Sequence, residues 1–182
     1  KGWIVHGVVR QSITQEKAQE RGLAQVISTN PSILSKCDLV ILALPLTQLI
    51  KPDKTILEVL PKNSVVTDVG SVKAPVLKAW KDLHPRFVPS HPMAGNANSG
   101  VNSGLKGLFE NCPWIATPDS DTDLTALELV KEVDKSVGAN WFTTEASIHD
   151  EVVALISHLP VFTSAALINT LGHQTNNHNI IK

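Results

Sequence analysis

The chain has 182 residues, and its 16 Lys and Arg against 17 Asp and Glu leave a formal net charge of -1. That length can bury one full domain core, and so balanced a charge offers no electrostatic attraction to nucleic acid or an anionic membrane, which leaves a small molecule as the expected ligand. No apolar run is expected to approach the roughly 20 residues that span a bilayer, the first residues lack the basic region, apolar core and cleavage site of a signal peptide, and Cys37 and Cys112 lack the spacing of a metal site or a disulfide framework.

In chain order, residues 3–9 (Trp-Ile-Val-His-Gly-Val-Val) read as a strand and 14–21 as a helix, stopped by Gly22, a residue suited to the left-handed position after a helix end. Residues 38–44, closed by Pro45, form the near-continuous apolar run of a parallel strand covered on both faces. Segments 47–60, 64–68 and 72–83 alternate helix, strand, helix, with Pro52 breaking the first. Residues 86–90 and 114–117 are short strand candidates on either side of a Gly/Asn/Ser-rich loop at 95–107. Leu127, Val130, Val133 and Val137 make the apolar stripe of a helix ending at Gly138, and 139–143 follows as a strand. Thr144 is placed to cap a long apolar helix running toward Leu171, which Pro160 must kink. This alternation predicts an α/β fold with a doubly wound, mainly parallel sheet over residues 1–143, followed by the start of an all-helical domain over 144–182.

Four segments carry chemistry in combination: Val-Thr-Asp-Val-Gly-Ser-Val-Lys at 66–73, Ser-His-Pro-Met-Ala-Gly at 90–95, the pair His149-Asp150, and Ser-His-Leu-Pro at 157–160. In order and spacing they resemble the prephenate/arogenate dehydrogenase family, the NAD(P)-dependent oxidative decarboxylases of tyrosine biosynthesis, and most of all the arogenate enzymes of phototrophs. From the residues themselves, His91 stands at a strand end where Pro92 holds it extended and Gly95 permits close backbone approach. An imidazole titrating near neutrality suits proton transfer. The resemblance implies that His91 takes the proton of the substrate's ring hydroxyl as hydride leaves the same carbon, and that loss of carbon dioxide then gives an aromatic product.

Ser71 follows the strand at 64–68, at the carboxyl edge where open α/β sheets bind their ligands, and it is also placed to cap the next helix. The resemblance makes it a bridge between His91 and the substrate, and a cofactor neighbour. It also assigns Ser157, His158 and Asn96 to the substrate pocket, Asn96 standing where the family usually has threonine. Several prephenate-using relatives have histidine where this chain has Val161, so arogenate is expected ahead of prephenate. Asp68 reads as a turn stabiliser, Lys73 as structural or cofactor-facing, and His149-Asp150 as a structural pair at a helix start.

For the cofactor, the first strand is followed by Arg10, with no acid to bond an adenosine ribose. A 2′-phosphate fits better, so NADP is expected ahead of NAD, with Gln11 and Ser12 assisting. The strand-end residues Leu44 and Pro45 pass near the cofactor by resemblance. The family's opening strand with its Gly-x-Gly-x-x-Gly turn has no match here, nor has its carboxylate-binding arginine, so the sheet is expected to lack its first strand and the segment alone to turn over poorly. The resemblance further implies a homodimer in the cytoplasm, or in a plastid if a transit peptide precedes residue 1. Two-domain oxidoreductases of the hydroxyacid dehydrogenase or imine reductase kind compete with this reading, but they use a lysine on the interdomain helix and 144–171 has none. A non-catalytic metabolite sensor is the other competitor, opposed by the joint presence of Ser71, His91 and His158.

Overall fold

The computed structural model describes residues 2–96 and 98–175. It opens with β1 (His6–Val8), α1 (Ser12–Glu20) and β2 (Val26–Ser28), the two strands parallel with Gly7 opposite Ile27. β1 is shorter than the expected 3–9 because Val5 turns its amide to the Gln25 side chain at 2.7 Å instead of extending the ladder. Gly22 has φ 61° and the Leu23 amide returns to the Ala18 carbonyl at 3.1 Å, the expected helix stop. Neither β2 nor the 3-10 segment Pro31–Lys36 is foreseen from sequence, since three strand residues are too few to display a period.

The central ladder is β3 (Leu39–Leu42), β4 (Val65–Asp68) and β5 (Phe87–Val88), all parallel. Between them lie α2 (Leu46–Ile50) and α3 (Lys54–Leu57), separated at Pro52 as expected, and α4 (Ala74–Trp80). Every residue of β4 is buried, which is what layers on both faces impose on a parallel strand. On one face Val40, Leu42, Leu49, Val66, Val76, Trp80 and Phe87 share a core, with Trp80 stacked on Phe87 at 5.0 Å between ring centroids. The Trp80 indole N–H donates to the Leu49 carbonyl at 2.8 Å, so the ring is buried without an unpaired donor. On the other face Val65 and Val88 meet Ala126 and Val130 of α5 (Leu124–Val137). Asp123 caps α5 through the amides of Thr125 and Ala126, the Arg86 guanidinium holds Asp123 at 2.9 Å, and Gly138 ends the helix at φ 74°.

The strand expected at 86–90 divides at Pro89, which has no N–H to continue the ladder and instead accepts the Thr117 amide at 3.0 Å. Beyond it β6 (Ser90–Pro92) pairs antiparallel with β7 (Pro113–Ala116), which runs parallel to β8 (Asn140–Thr143). Among the described residues β1 pairs only with β2 and β3 only with β4, so the sheet is interrupted at the place in strand order where the family resemblance expects one more strand.

α6 (Ala146–Val153), a π-helical turn (Ala154–His158) and α7 (Leu159–Thr175) form one long helix. Thr144 does not cap it, contrary to expectation. Glu145 occupies that position without a side-chain bond, and Thr144 is drawn instead into the sheet, its amide donating to the Ala116 carbonyl at 3.2 Å. The expected disturbance at Pro160 takes the form of the π turn just before it, where the Leu159 amide reaches back to Ala154. The stretch Ala146–Leu171 is long and apolar enough to cross a membrane by length and composition, with 6% of its most apolar window buried. Counting strictly apolar runs misses this because Ser157, His158, Thr163 and Thr170 interrupt them without charge. The Thr163 and Thr170 hydroxyls also return to helix carbonyls at 2.9 Å, which hides their polarity.

Gly70, at the end of β4, is required by close approach: a Cβ there would lie 2.7 Å from Leu49 Cδ1 and 3.0 Å from Asp68 Oδ2. Gly70→Ala is therefore expected to lower stability by about 1–3 kcal/mol, read as a shifted urea midpoint with unchanged slope.

Candidate active site

The carboxyl ends of β4 and β6 hold a linked set of buried charged and titratable groups. Asp68 and Lys73 form an ion pair with both side chains at 0% exposure. Lys73 Nζ also donates to the Ser90 carbonyl at 2.8 Å, and Asp68 accepts the amides of Gly70 at 2.9 Å and Ser90 at 3.3 Å. Burial pushes the Asp68 carboxyl up and the Lys73 ammonium down, while each partner opposes that pull on the other. The Ser90 hydroxyl donates to the Asp68 carbonyl at 3.0 Å and lies 2.9 Å from the Thr67 hydroxyl. The backbone immediately before His91 is thus tied to β4 on every side.

His91 is half-buried on β6, and its Nδ1 lies 3.0 Å from Nε2 of His149 on α6. Nδ1 of His149 in turn lies 2.8 Å from Asp150 Oδ1. Asp150 also accepts the amides of Lys73 at 2.7 Å and Ala74 at 2.9 Å, fastening α6 to the start of α4. Burial opposes its ionisation, but those amides and the His149 N–H hold its carboxyl below the usual carboxylate range. The His91 pKa is pushed down to about 4, first by burial and then by His149, Lys73 and His158, against the attraction of Asp150. At neutral pH the His91 ring is uncharged, with one nitrogen free to receive a proton. His158, half-buried in the π turn, is close enough to act on that ring.

The other expected site residues are distributed more widely. Ser71 is exposed in the turn after β4, and among the described residues it makes no hydrogen bond to His91, whose ring partner is His149. Ser157 and Val161 are exposed on the long helix. Asn96 spends its amide within its own loop, donating to the Ser103 carbonyl at 2.9 Å and accepting the Asn98 amide at 2.8 Å. Arg10, Gln11 and Ser12 are exposed just past the end of β1, where Gln11 precedes α1, and Leu44 and Pro45 lie between β3 and α2. Sequence reasoning gave Asp68 as a turn stabiliser, Lys73 as structural or cofactor-facing, and His149-Asp150 as a structural pair. The only signal that pointed to more was an ionisable pair adjacent in sequence and an Asp and a Lys five apart across a glycine, neither of which reveals burial.

Residues 1–143 match the family model described as "Prephenate dehydrogenase, nucleotide-binding domain". The chain belongs to the prephenate dehydrogenase family. Residues 145–182 match a second model, "Prephenate dehydrogenase, dimerization domain". Among curated relatives, cyclohexadienyl dehydrogenase of Zymomonas mobilis is 36% identical over 139 residues, 75% of this chain and 47% of the relative. The prephenate dehydrogenase of Bacillus subtilis is 36% identical over 121 residues, 65% of this chain and 33% of that protein. The solved prephenate dehydrogenase of Aquifex aeolicus with hydroxyphenyl propionate and NAD+ is similar at 32% identity and TM-score 0.88, over 95% of this chain and 61% of that one. Synechocystis arogenate dehydrogenase is similar at 35% identity and TM-score 0.76, over 91% and 59%. This prephenate dehydrogenase family chain therefore has the Rossmann-like fold expected of it, with helices on both faces of a mainly parallel sheet. It spans about half the length of the Zymomonas relative and a third of the Bacillus one.

Proposed function

We propose that the whole protein carrying this chain oxidatively decarboxylates arogenate with NADP, prephenate being the second substrate to test. The observation that carries this reading is the neutral, half-buried ring of His91 at the carboxyl edge of the sheet, among Lys73, His149, Asp150 and His158. That ring would accept the hydroxyl proton of a cyclohexadiene substrate while the hydroxyl-bearing carbon is oxidised. It can return the proton to the same oxygen as the carboxylate leaves and the ring becomes aromatic. Nicotinamide, when bound, supplies the hydride acceptor. Ser71 would touch substrate from the β4 turn, Ser157 and His158 from the π turn, and Val161 from the next turn of α7, where an apolar side chain favours a substrate differing from prephenate at its side chain. Asn96 would reach the substrate only by giving up its bonds within the loop.

The cofactor end is supported by Arg10. It is exposed past the end of β1, forms no ion pair among the described residues, and has no acidic neighbour at the strand end. A cation there fits a 2′-phosphate and an acid would fit a bare ribose. Gln11 and Ser12 adjoin it, and Leu44 and Pro45 would flank the cofactor from the end of β3. Arg10→Ala is expected to raise the KM for NADP at least about tenfold, the loss of one charge-assisted contact, while changing the KM for NAD little. Initial rates with both cofactors and with both arogenate and prephenate test the reading. Efficient use of NAD and prephenate alone would keep the chemistry and remove both assignments of specificity. The exposed Leu159, Phe162, Leu167 and Ile168 of α7 support burial against the remaining helical domain and a second copy, hence a homodimer.

A further inference from the structure

The order of hydrogen bonds running from Asp150 through His149 to His91 has a direction. The Asp150 carboxylate is ionised and can only accept, so His149 Nδ1, 2.8 Å away, carries a proton and donates it. With the Nδ1 proton committed to Asp150, Nε2 of His149 presents its lone pair. Across the 3.0 Å contact the proton must therefore come from Nδ1 of His91. This leaves Nε2 of His91 without a proton, its lone pair facing away from the relay.

We propose that His149, oriented by Asp150, is a positioning residue that fixes His91 as the Nδ1–H tautomer and so makes Nε2 the proton acceptor. The inference rests on the proposed function only for what Nε2 accepts; the tautomer itself follows from the relay. His149 is suited to this because it is 2% exposed and its side chain is fully buried, so no water competes for its Nε2. Asp150 is suited because its carboxylate oxygens are fixed by two main-chain amides at the start of α4, and it cannot swing away without uncapping that helix. The two rings meet edge to face, 5.2 Å between centroids and 73° between planes, so the bond lies along the ring edge of His91 on its Nδ1 side. The relay also crosses from β6 to the long helix, so the position of α6 is read directly by the ring that takes the proton. No other assigned side chain does this: Ser71 is not bonded to His91 among the described residues, and the Lys73 ammonium reaches the site through Ser90 and Asp68.

The test uses the whole protein with 15N-labelled histidine, and the variants His149→Leu and His149→Gln. The imidazole 15N shifts of His91, assigned by their loss in His91→Asn, report the tautomer without any substrate. The expected result is Nδ1 protonated and Nε2 free in the parent at pH 7, preserved in His149→Gln, whose amide oxygen accepts in place of Nε2, and an averaged mixture in His149→Leu. In turnover, His149→Leu is expected to lower kcat on the order of 100-fold with KM within about twofold, the signature of a misdirected base, and His149→Gln to recover most of that loss. A His91 ring protonated on Nε2 in the parent overturns the proposal. So does a His149→Leu variant that keeps the parent tautomer and kcat. If no cyclohexadiene substrate is turned over but the Nδ1–H tautomer is found, the functional reading fails and the relay stands.

Discussion

Replacing His91 with asparagine is expected to lower kcat of the whole protein about 1,000-fold, within the range that a positioned general base supplies, while leaving KM for substrate and cofactor within a fewfold. Asparagine keeps a donor and an acceptor near the positions of the ring nitrogens, so binding survives, but it cannot take the hydroxyl proton. The pH dependence should change in step. Because burial above all, and then His149, Lys73 and His158, push His91 down to about 4, the acidic limb of kcat/KM in the parent should fall near that value and not near 6.5, and it should vanish in the variant. The same shift has a consequence for stability. A histidine whose folded-state pKa lies below its ordinary 6.5 favours folding fully above pH 6.5, and that contribution declines as pH falls from 6.5 toward 4, where the unfolded chain binds the extra proton. His91→Asn removes that part of the acid sensitivity. A variant with parent-like kcat would show that the proton leaves by another route.

Lys73→Met is expected to destabilise the protein by about 3–5 kcal/mol, the cost of leaving a buried carboxylate without its partner. Asp68 would remain fully buried with only the Gly70 and Ser90 amides to support its charge. Chemical denaturation of the parent, the single variant and Asp68→Asn/Lys73→Met measures this. The double variant should regain most of the loss, since an asparagine needs no counter-charge and a methionine fills a similar volume. A single variant within about 1 kcal/mol of the parent would contradict the pairing. Gly70→Ala acts on the same turn from the steric side, so the two effects should couple when combined.

The sequence speaks most clearly where a pattern repeats or a special backbone conformation is needed. The apolar run at 38–44 is a parallel strand in the structure, Leu39–Leu42, but it is not covered on both faces as expected: Val40 and Leu42 are buried while Ile41 on the opposite face is 44% exposed. Gly22 and Gly138 stand at helix ends with positive φ, as their positions require. Short elements are silent: β2 has three residues, and its existence depends on β1 beside it. Pro89 divides the strand expected at 86–90 because it has no N–H for the ladder, although its neighbours on both sides lie in strands. At the site, His91 is legible from its proline and its motif. The residues that orient it are not, because His149 lies 58 positions away and reaches it only once α6 packs against α4 and the sheet. Nor does a sequence distinguish a solvated Asp-Lys pair from one at 0% exposure. The long helix shows the opposite error, a strict count of apolar residues obscuring a segment whose hydroxyls are turned back onto its own carbonyls.

The most direct test of the central claim is the stoichiometry of products when the whole protein is given arogenate or prephenate and oxidised nicotinamide cofactor. One carbon dioxide released for each cofactor reduced, both lost together in His91→Asn, is the predicted result. Cofactor reduction without carbon dioxide, or equal rates in the parent and the variant, would contradict the assignment of this site to oxidative decarboxylation.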